Sequence, residues 1–399
     1  MRLPQFLRHR LGAIRLVAAT SVVAVLFVAC GAPGGGGGNM DLPAGAITMP
    51  AGTVKIALLL PITASGSTRK IAKALKQAAE LALFDFDNPN IALVPKDTKG
   101  TPDGARLAAE SAVRDGAELI IGPLFAQEVR GVAQVARSAG IPVIAFSSDQ
   151  KVAGNGVYLL SFLAGRDVPR IVSFAMSRGK RNFAVLVPQT AYGRIAEAAF
   201  AKAVAAGGGR APVRASFPAG SSSGMAGPVK QIANAIKSGQ KVDALFLPAD
   251  RSELPSLAPL LAASGITSAN VQFIGTGQWD FPNVDRQAAL VGGWFPAPDP
   301  KGWSNFAQSY SKTFGGTPTR IASLGYDAMS LAVSLAENPR GQRYTFSQLT
   351  RESGFTGADG LFRLLPDGTS QRGLAVLEVA PGAPRVLSPA PRAFSAPSN

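Results

Sequence analysis

The stretch from residue 117 to residue 149 constrains the fold more than any other part of this sequence. It contains a short apolar run that ends at Gly122-Pro123, then apolar residues at helical spacing, then a second apolar run over residues 141–146. Two apolar strands joined by a helix form a right-handed βαβ unit with parallel strands. The loops after both strands then lie at one edge of the sheet, where open α/β sheets bind ligands. The stretch therefore predicts a doubly wound parallel sheet with a ligand cleft.

Strands and helices alternate in two such series along the chain. The first series covers residues 54–149 and the second covers residues 182–274. Two helical segments follow over residues 302–337, and residues 354–368 read as an extended pair closed by Asp-Gly. A chain of 399 residues is longer than one hydrophobic core usually supports. We therefore expect an α/β protein with two doubly wound parallel-sheet lobes.

The N-terminus has the pattern of an export signal. Arginines precede an apolar run over residues 16–28, which ends at Ala29-Cys30 and resembles a bacterial lipobox, with Phe27 where leucine is usual. An ordinary signal peptide with an incidental cysteine is the alternative. We predict a lipoprotein signal peptide over residues 1–29, a lipid anchor on Cys30 and a glycine-rich tether over residues 30–52. Gly31 favours sorting to the outer membrane of a Gram-negative bacterium, so the expected location is the periplasm.

The rarest residues argue against enzymatic chemistry. His9 and Cys30 are the only histidine and the only cysteine. A G-x-S-x-G match at residues 220–224 lacks a histidine base, and an S-x-x-K match at residues 67–70 lacks its companion motifs. A serine and glycine loop explains the first match, and a helix N-cap at Ser67 explains the second. We expect no catalytic residues, no cofactor and no metal site.

The charge of the chain is basic. Forty basic residues face 25 acidic ones, and removal of residues 1–29 takes away four arginines, which leaves a net charge of +11. An exported basic protein meets anionic lipids or cell-wall polymer, and a generally basic proteome explains the charge equally well. We expect no nucleic-acid partner.

The candidate cleft residues lie at the loop tips that follow the predicted strands. Hydroxyl groups and backbone N–H groups there can hold a small polar ligand, and two aromatic residues add contact area. Ordinary turn chemistry explains the serines equally well. The predicted cleft residues are Ser65, Gly66, Gly122, Pro123, Phe125, Ser147, Ser148, Tyr192, Gly193, Gly277, Trp279 and Asp280.

Residues 53 to about 380 resemble type I periplasmic-binding proteins of the leucine-binding kind. The order and spacing of several short stretches carry the resemblance: 54–61, 93–97, 120–123, 141–144, Tyr192-Gly193 and Tyr326-Asp327. It implies two lobes with a cleft between them and three crossings, placed near residues 164–165, 295–298 and 359–365. The first lobe would comprise residues 53–164 and 298–360, and the second 165–297 and 361–380. Residues 381–399 would form a Pro-rich tail.

A narrower resemblance points to penicillin-binding protein activators, lipoproteins that stimulate a peptidoglycan synthase. Residues 121–125, 275–280, 292–295 and 357–368 carry it. The best-known activators begin with a helical-repeat domain, whereas only a tether precedes the fold here, so docking residues cannot be transferred. The alternative function is that of a solute receptor for an ABC permease that imports branched-chain or other amino acids.

One loop favours the regulatory hypothesis over import. Leucine-type receptors resemble one another in holding the ligand with Ser/Thr groups on the loops after the third and fourth strands. Here residues 122–127 offer no hydroxyl, Phe125 presents an apolar ring, and Asp149 repels a carboxylate. A buried carboxylate that lacks donors costs ~1–3 kcal/mol for each missing bond. We therefore expect no tight binding of ordinary α-amino acids.

Overall fold

The computed structural model describes residues 52–86 and 90–394. The predicted signal peptide, Cys30 and the tether through residue 51 lie outside the described residues, as do the last five residues of the predicted tail. None of the helices in the described residues is both long and apolar enough to span a bilayer.

The first lobe is built on a five-stranded parallel sheet with the order β2-β1-β3-β4-β5. Its apolar strands have helices on both faces, as expected for a doubly wound sheet. The elements are β1 (Val54–Leu60), α1 (Gly66–Phe86), β2 (Ile91–Asp97), α2 (Pro102–Arg114), β3 (Leu119–Ile121), α3 (Ala126–Ser138), β4 (Val143–Ala145) and β5 (Val157–Leu159). Helix α1 begins at Gly66, so Ser67 lies inside the helix and not at the predicted N-cap position.

The second lobe contains a seven-stranded sheet with the order β15-β14-β10-β9-β8-β6-β7. Its five strands β6 to β10 are parallel, whereas β14 and β15 are antiparallel additions at one edge. Its elements up to residue 297 are α4 (Val168–Ser177), β6 (Asn182–Pro188), α5 (Ala191–Ala206), β7 (Arg210–Phe217), α6 (Ala226–Lys237), β8 (Ala244–Phe246), α7 (Leu254–Ala263), β9 (Gln272–Ile274) and β10 (Trp294–Ala297).

After β10 the chain returns to the first lobe before it ends in the second. Helix α9 is buried against α1, and its residues Leu324 and Leu331 share one core with Leu58 and Leu75. The elements are α8 (Pro300–Phe314), α9 (Ser323–Ala336), α10 (Phe346–Leu349), β11 (Phe355–Gly357), β12 (Gly360–Leu364), β13 (Ser370–Arg372), β14 (Ala375–Glu378) and β15 (Arg385–Ser388). The two parallel-sheet lobes confirm the predicted fold class.

The third crossing lies later than predicted. Strands β12 and β13 pair on either side of the Asp367-Gly368 turn, and Phe362 and Leu364 are buried in the core of the first lobe. The chain therefore crosses at Gly373, not over residues 359–365. The apolar residues of β12 suit either lobe, so the pattern alone could not assign them.

The predicted Pro-rich tail also contains a strand. Residues 385–388 form β15, which pairs with β14 at the edge of the second sheet. Proline lacks the N–H group that a ladder needs, but Pro384 and Pro389 flank β15 and leave its own N–H groups free to pair.

Candidate ligand-binding site

A cavity of about 350 Å³ lies where the two lobes meet. Its walls come from the first crossing, from loops of the second lobe, from the second crossing and from the segment before the third. The lining residues are Ser161, Phe162, Leu163, Arg166, Asp167, Tyr192, Asp250, Arg251, Gly277, Gln278, Asp280, Phe281, Pro282, Pro296, Ala297, Pro298, Arg320, Ser370, Arg372 and Leu374. The volume suits a small molecule, and the wall combines apolar surface with charged groups.

On the second-lobe wall, Asp167 and Tyr192 are held by the loop after β9. The Gly277 N–H donates to Asp167 Oδ2 at 2.6 Å, and the Tyr192 hydroxyl donates to Thr276 Oγ1 at 2.7 Å. Burial raises the pKa of Asp167, and its Oδ1 has no hydrogen-bond partner among the described residues. Burial and the neighbouring Asp167 also raise the pKa of Tyr192, which remains a neutral hydroxyl.

On the opposite wall, Ser370 and Arg372 project from β13. Residues two apart on a strand point to the same face, so both side chains reach the cavity. Arg372 Nη1 donates to Asp327 Oδ2 at 2.8 Å. Its Nε and Nη2, and the Ser370 hydroxyl, have no partner in the part of the chain that the structure describes. The wall therefore presents donors that lack acceptors.

Arg320 connects the two walls. It belongs to the first lobe and donates to Asp280 of the second lobe. Burial raises the pKa of Asp280, and the positive charge of Arg320 opposes this shift. The Phe162 ring lies beneath both guanidinium groups, 5.0 Å from Arg320 and 5.1 Å from Arg372.

The structure places three of the predicted cleft residues, Tyr192, Gly277 and Asp280, in the cavity wall. Gly193 lies behind Tyr192 in the first turn of α5, where a Cβ atom would come within 2.1 Å of the Pro188 carbonyl oxygen. Gly193 therefore has a packing role.

Trp279 does not contact the cavity, contrary to the sequence prediction. Its indole is fully buried in the second-lobe core and donates from Nε1 to the Leu247 carbonyl at 3.1 Å. A Cβ atom on Gly275 would lie 2.3 Å from this ring. Gly275 therefore leaves room for the indole inside the lobe. The sequence shows only an aromatic residue in a glycine-rich loop, and this pattern does not indicate that the ring is buried.

The seven predicted cleft residues of the first lobe are not among the lining residues: Ser65, Gly66, Gly122, Pro123, Phe125, Ser147 and Ser148. The two loops after β3 and β4 are bonded to each other, since the Phe146 N–H donates to the Pro123 carbonyl at 2.9 Å. The Ser147 hydroxyl is used locally, accepting the Asp149 N–H at 3.2 Å. Buried Glu128 accepts the Phe125 N–H at 2.9 Å. These loops serve the packing of their own lobe.

Sequence reasoning missed four polar residues of the cavity wall: Asp167, Arg320, Ser370 and Arg372 lie outside the predicted loop tips. Each sits near a crossing between the lobes, and no local motif marks it.

The sequence model of the periplasmic binding protein family matches residues 53–384. The chain belongs to this family. None of the curated proteins that were searched matches the sequence of this periplasmic binding protein. The match and the two parallel-sheet lobes confirm the predicted type I, leucine-binding-like family.

Solved structures share the fold of this periplasmic binding protein at low sequence identity. A putative branched-chain amino acid ABC transporter protein from Rhodospirillum rubrum has 19% identity and a TM-score of 0.75, with 84% of this chain and 100% of that chain covered. A solute binding protein of an ABC transporter from R. palustris, in complex with benzoate, has 19% identity and a TM-score of 0.56, with coverages of 87% and 100%. A branched-chain amino acid transporter substrate binding protein from Streptococcus pneumoniae, in complex with isoleucine, has 18% identity and a TM-score of 0.56, with coverages of 84% and 100%.

Proposed function

We propose that this protein is a periplasmic receptor that captures a small organic acid in the cavity between its lobes and delivers it to an ABC permease. The observation that carries the proposal is the set of buried polar atoms in the cavity wall that lack partners: Asp167 Oδ1, Ser370 Oγ, and Nε and Nη2 of Arg372. Buried polar groups are nearly always hydrogen-bonded. A solute that supplies the missing partners accounts for all of them at once.

The rest of the wall indicates what kind of solute fits. Phe162, Leu163, Phe281 and Leu374 line the cavity together with three prolines, and they offer apolar surface to the body of a ligand. The solved relatives described above, in complex with benzoate or isoleucine, hold acids with an apolar body. An aromatic or branched aliphatic carboxylate suits this combination of apolar wall and polar groups.

The regulatory hypothesis has less support than import. Two of the stretches that resemble penicillin-binding protein activators, 275–280 and 292–295, meet around the buried Trp279, and a Cβ atom on Gly293 would lie 2.8 Å from its ring. Packing inside one lobe explains their residues without a synthase partner. The solved relatives named above are transport proteins, which favours the alternative function considered from the sequence.

The loops after β3 and β4 in the first lobe affect which solute we expect to bind. Because the loops after β3 and β4 stay outside the cavity wall, a carboxylate must find its donors elsewhere in the cavity. The expectation that ordinary α-amino acids bind weakly stays a prediction, and the apolar residues of the wall favour acids with a larger apolar body. Lipid anchoring at Cys30 and sorting to the outer membrane remain part of the proposal.

A thermal-shift screen tests the proposed function. The panel contains benzoate, 4-hydroxybenzoate, 3,4-dihydroxybenzoate and the twenty amino acids. We expect at least one of the three aromatic acids to raise the Tm of the wild-type protein by several degrees, because a ligand that binds only the folded state stabilises it.

Two tryptophan variants locate the binding. Gln278→Trp fills the cavity from an exposed lining position, whereas Gln240→Trp places the same side chain on an exposed turn before β8, at the opposite edge of the sheet. Gln278→Trp should abolish the shift and Gln240→Trp should retain it. A shift that survives in Gln278→Trp would place the solute outside the cavity and contradict the proposal.

A further inference from the structure

We propose that the free edge of Arg372, together with the Ser370 hydroxyl, is the subsite that binds the carboxylate of the solute. The inference rests on the proposed function and names the group of the solute that the cavity recognises. In this proposal the carboxylate binds to strand β13 near the third crossing. The family resemblance had implied binding by the loops after β3 and β4 instead.

The orientation of Arg372 is fixed on three sides. Its side chain is 5% exposed, and Nη1 donates to Asp327 Oδ2. The rings of Phe162 and Phe362 lie over the guanidinium at 5.1 Å and 5.6 Å. Contacts with aromatic faces stabilise a guanidinium and leave its edges available for hydrogen bonds. The remaining edge, formed by Nε and Nη2, is therefore presented in one orientation.

Asp327, which orients Arg372, is itself held in place. Its Oδ1 accepts the Ala358 N–H at 2.7 Å. The neighbouring Gly357 permits this approach, because a Cβ atom there would come within 2.1 Å of the same carboxylate oxygen. The chain thus pre-orients Arg372 through a buried carboxylate and a glycine on β11.

A carboxylate matches the free edge in shape and charge. Arginine cannot lose its proton to relieve the missing hydrogen bonds, whereas a buried acid can take up a proton. Two parallel N–H groups bind the two oxygens of a carboxylate in a fork, and the charges make both bonds stronger than neutral ones. The Ser370 hydroxyl, on the same face of β13, supplies a third donor.

The acids nearby leave this edge free for a ligand. Asp359 accepts Arg320 Nη1 at 2.9 Å and lies 3.9 Å from Arg372 Nη1, so both acids near Arg372 lie on its Nη1 side. Burial raises the pKa of Asp327 to about 6, although Arg372 opposes the shift. Asp327 can therefore take up a proton when a second carboxylate enters.

The surroundings of the subsite select for an apolar body. The Phe162 ring is 40% exposed and lies beside the subsite, and Leu163 and Leu374 also line the cavity. A flat ring attached to the carboxylate can stack on the exposed part of Phe162 while its acid group reaches Arg372. Aromatic carboxylates such as benzoate fit this arrangement.

Matched variants test the subsite by calorimetric titration with the panel acid that raises the Tm most and with its carboxamide. Ser370→Ala removes one donor, and the double variant Arg372→Gln with Asp327→Asn removes the fork without leaving Asp327 charged and unpaired. Arg363→Gln is the control, since Arg363 lies on β12 of the same hairpin, bonded to Gln371 at 2.9 Å and not in the cavity wall.

We expect the affinity for the acid to fall about tenfold in Ser370→Ala, about 100-fold or more in the double variant and less than about twofold in Arg363→Gln. The carboxamide should bind the wild-type protein about 100-fold more weakly than the acid, and the double variant should bind both alike. Circular dichroism establishes that each variant is folded.

The outcomes separate the two proposals. If the wild-type protein binds the acid and the folded Ser370→Ala and double variants bind it equally well, the subsite is wrong while the proposed function stands. A carboxamide that binds as tightly as its acid would likewise contradict the subsite. If no panel member binds the wild-type protein, the proposed function fails and the subsite fails with it.

Discussion

Arg320 donates from Nε to Asp280 Oδ2 at 3.3 Å, and this bond joins the two lobes beside the cavity. The same guanidinium donates from Nη1 to the buried Asp359 of its own lobe at 2.9 Å. Arg320 is thus fixed on the first lobe and extends to the second. The side chains of Arg320 and Asp280 are 28% and 33% exposed, so we expect their ion pair to be a weak one.

The first prediction concerns the separation of the lobes. Replacing Asp280 with Asn removes the charge that attracts Arg320, so the lobes should open further in the absence of solute. Small-angle X-ray scattering should show a larger radius of gyration than for the wild-type protein. Asp250→Asn is the control, because Asp250 also lines the cavity but bonds to Ser252 in its own loop. Equal radii for Asp280→Asn and Asp250→Asn would exclude a role of the bond in lobe separation.

The second prediction concerns the loop after β3. Gly122 has a φ of +90°, and a Cβ atom there would come within 2.1 Å of the Leu59 carbonyl oxygen. Gly122→Ala should therefore lower the free energy of unfolding by more than the ~1–3 kcal/mol that backbone strain alone costs. Gly116→Ala provides the comparison, because Gly116 has a φ of +78° with nothing within 4 Å of the added atom. Urea denaturation measures both, and equal losses would contradict the close contact with Leu59.

The third prediction concerns pH. Burial raises the pKa of Asp327 from 3.8 to about 6, so the folded protein holds this proton more tightly than the unfolded chain. Binding of this proton therefore stabilises the folded protein. The stabilisation is fully present below the pKa of Asp327 in the unfolded chain, 3.8, and is lost as the pH rises through its folded value of about 6.

Asp327→Asn cannot titrate and serves as the reference. The free energy of unfolding of the wild-type protein, relative to this variant, should fall between pH 4 and pH 6 by up to about 1.4 kcal/mol per pH unit and then level off. Titrating groups remote from Asp327 are common to both proteins and cancel in the difference. Urea denaturation at several pH values measures it, and a pH-independent difference would show that the pKa of Asp327 is not raised.

The fourth prediction concerns the N-terminus. Replacing Cys30 with Ser removes the predicted lipid attachment site and should release a folded protein into the soluble periplasmic fraction. Fractionation of cells that express the wild-type protein or the variant measures this. A variant that stays with the membranes after salt and carbonate washes would contradict lipid anchoring.

The sequence predicted the lobes better than the site because the two depend on different kinds of information. The apolar runs around Gly122-Pro123 are local patterns, and they indicated a parallel sheet with its helices. The binding wall arises where Phe162, Arg320 and Arg372 meet, far apart in sequence. Their convergence depends on where the chain crosses between lobes, and the third crossing lies about ten residues beyond its predicted position.

The positions of loop side chains were also hard to predict from the sequence. Trp279 follows two glycines and reads as an exposed aromatic residue, yet its ring fills the space that Gly275 and Gly293 leave in the core. Ser147 reads as a donor for a ligand but bonds to its own loop. Whether a loop side chain turns inward depends on the volume available inside the lobe, which a local pattern does not contain.

Isothermal titration of the wild-type protein with the carboxylate panel tests the central claim most directly. The claim is that one small organic acid binds in the cavity between the lobes. The predicted result is saturable heat for at least one aromatic carboxylate, with one site per chain and loss of the signal in Gln278→Trp. The absence of saturable heat for every acid at millimolar concentration would contradict the claim.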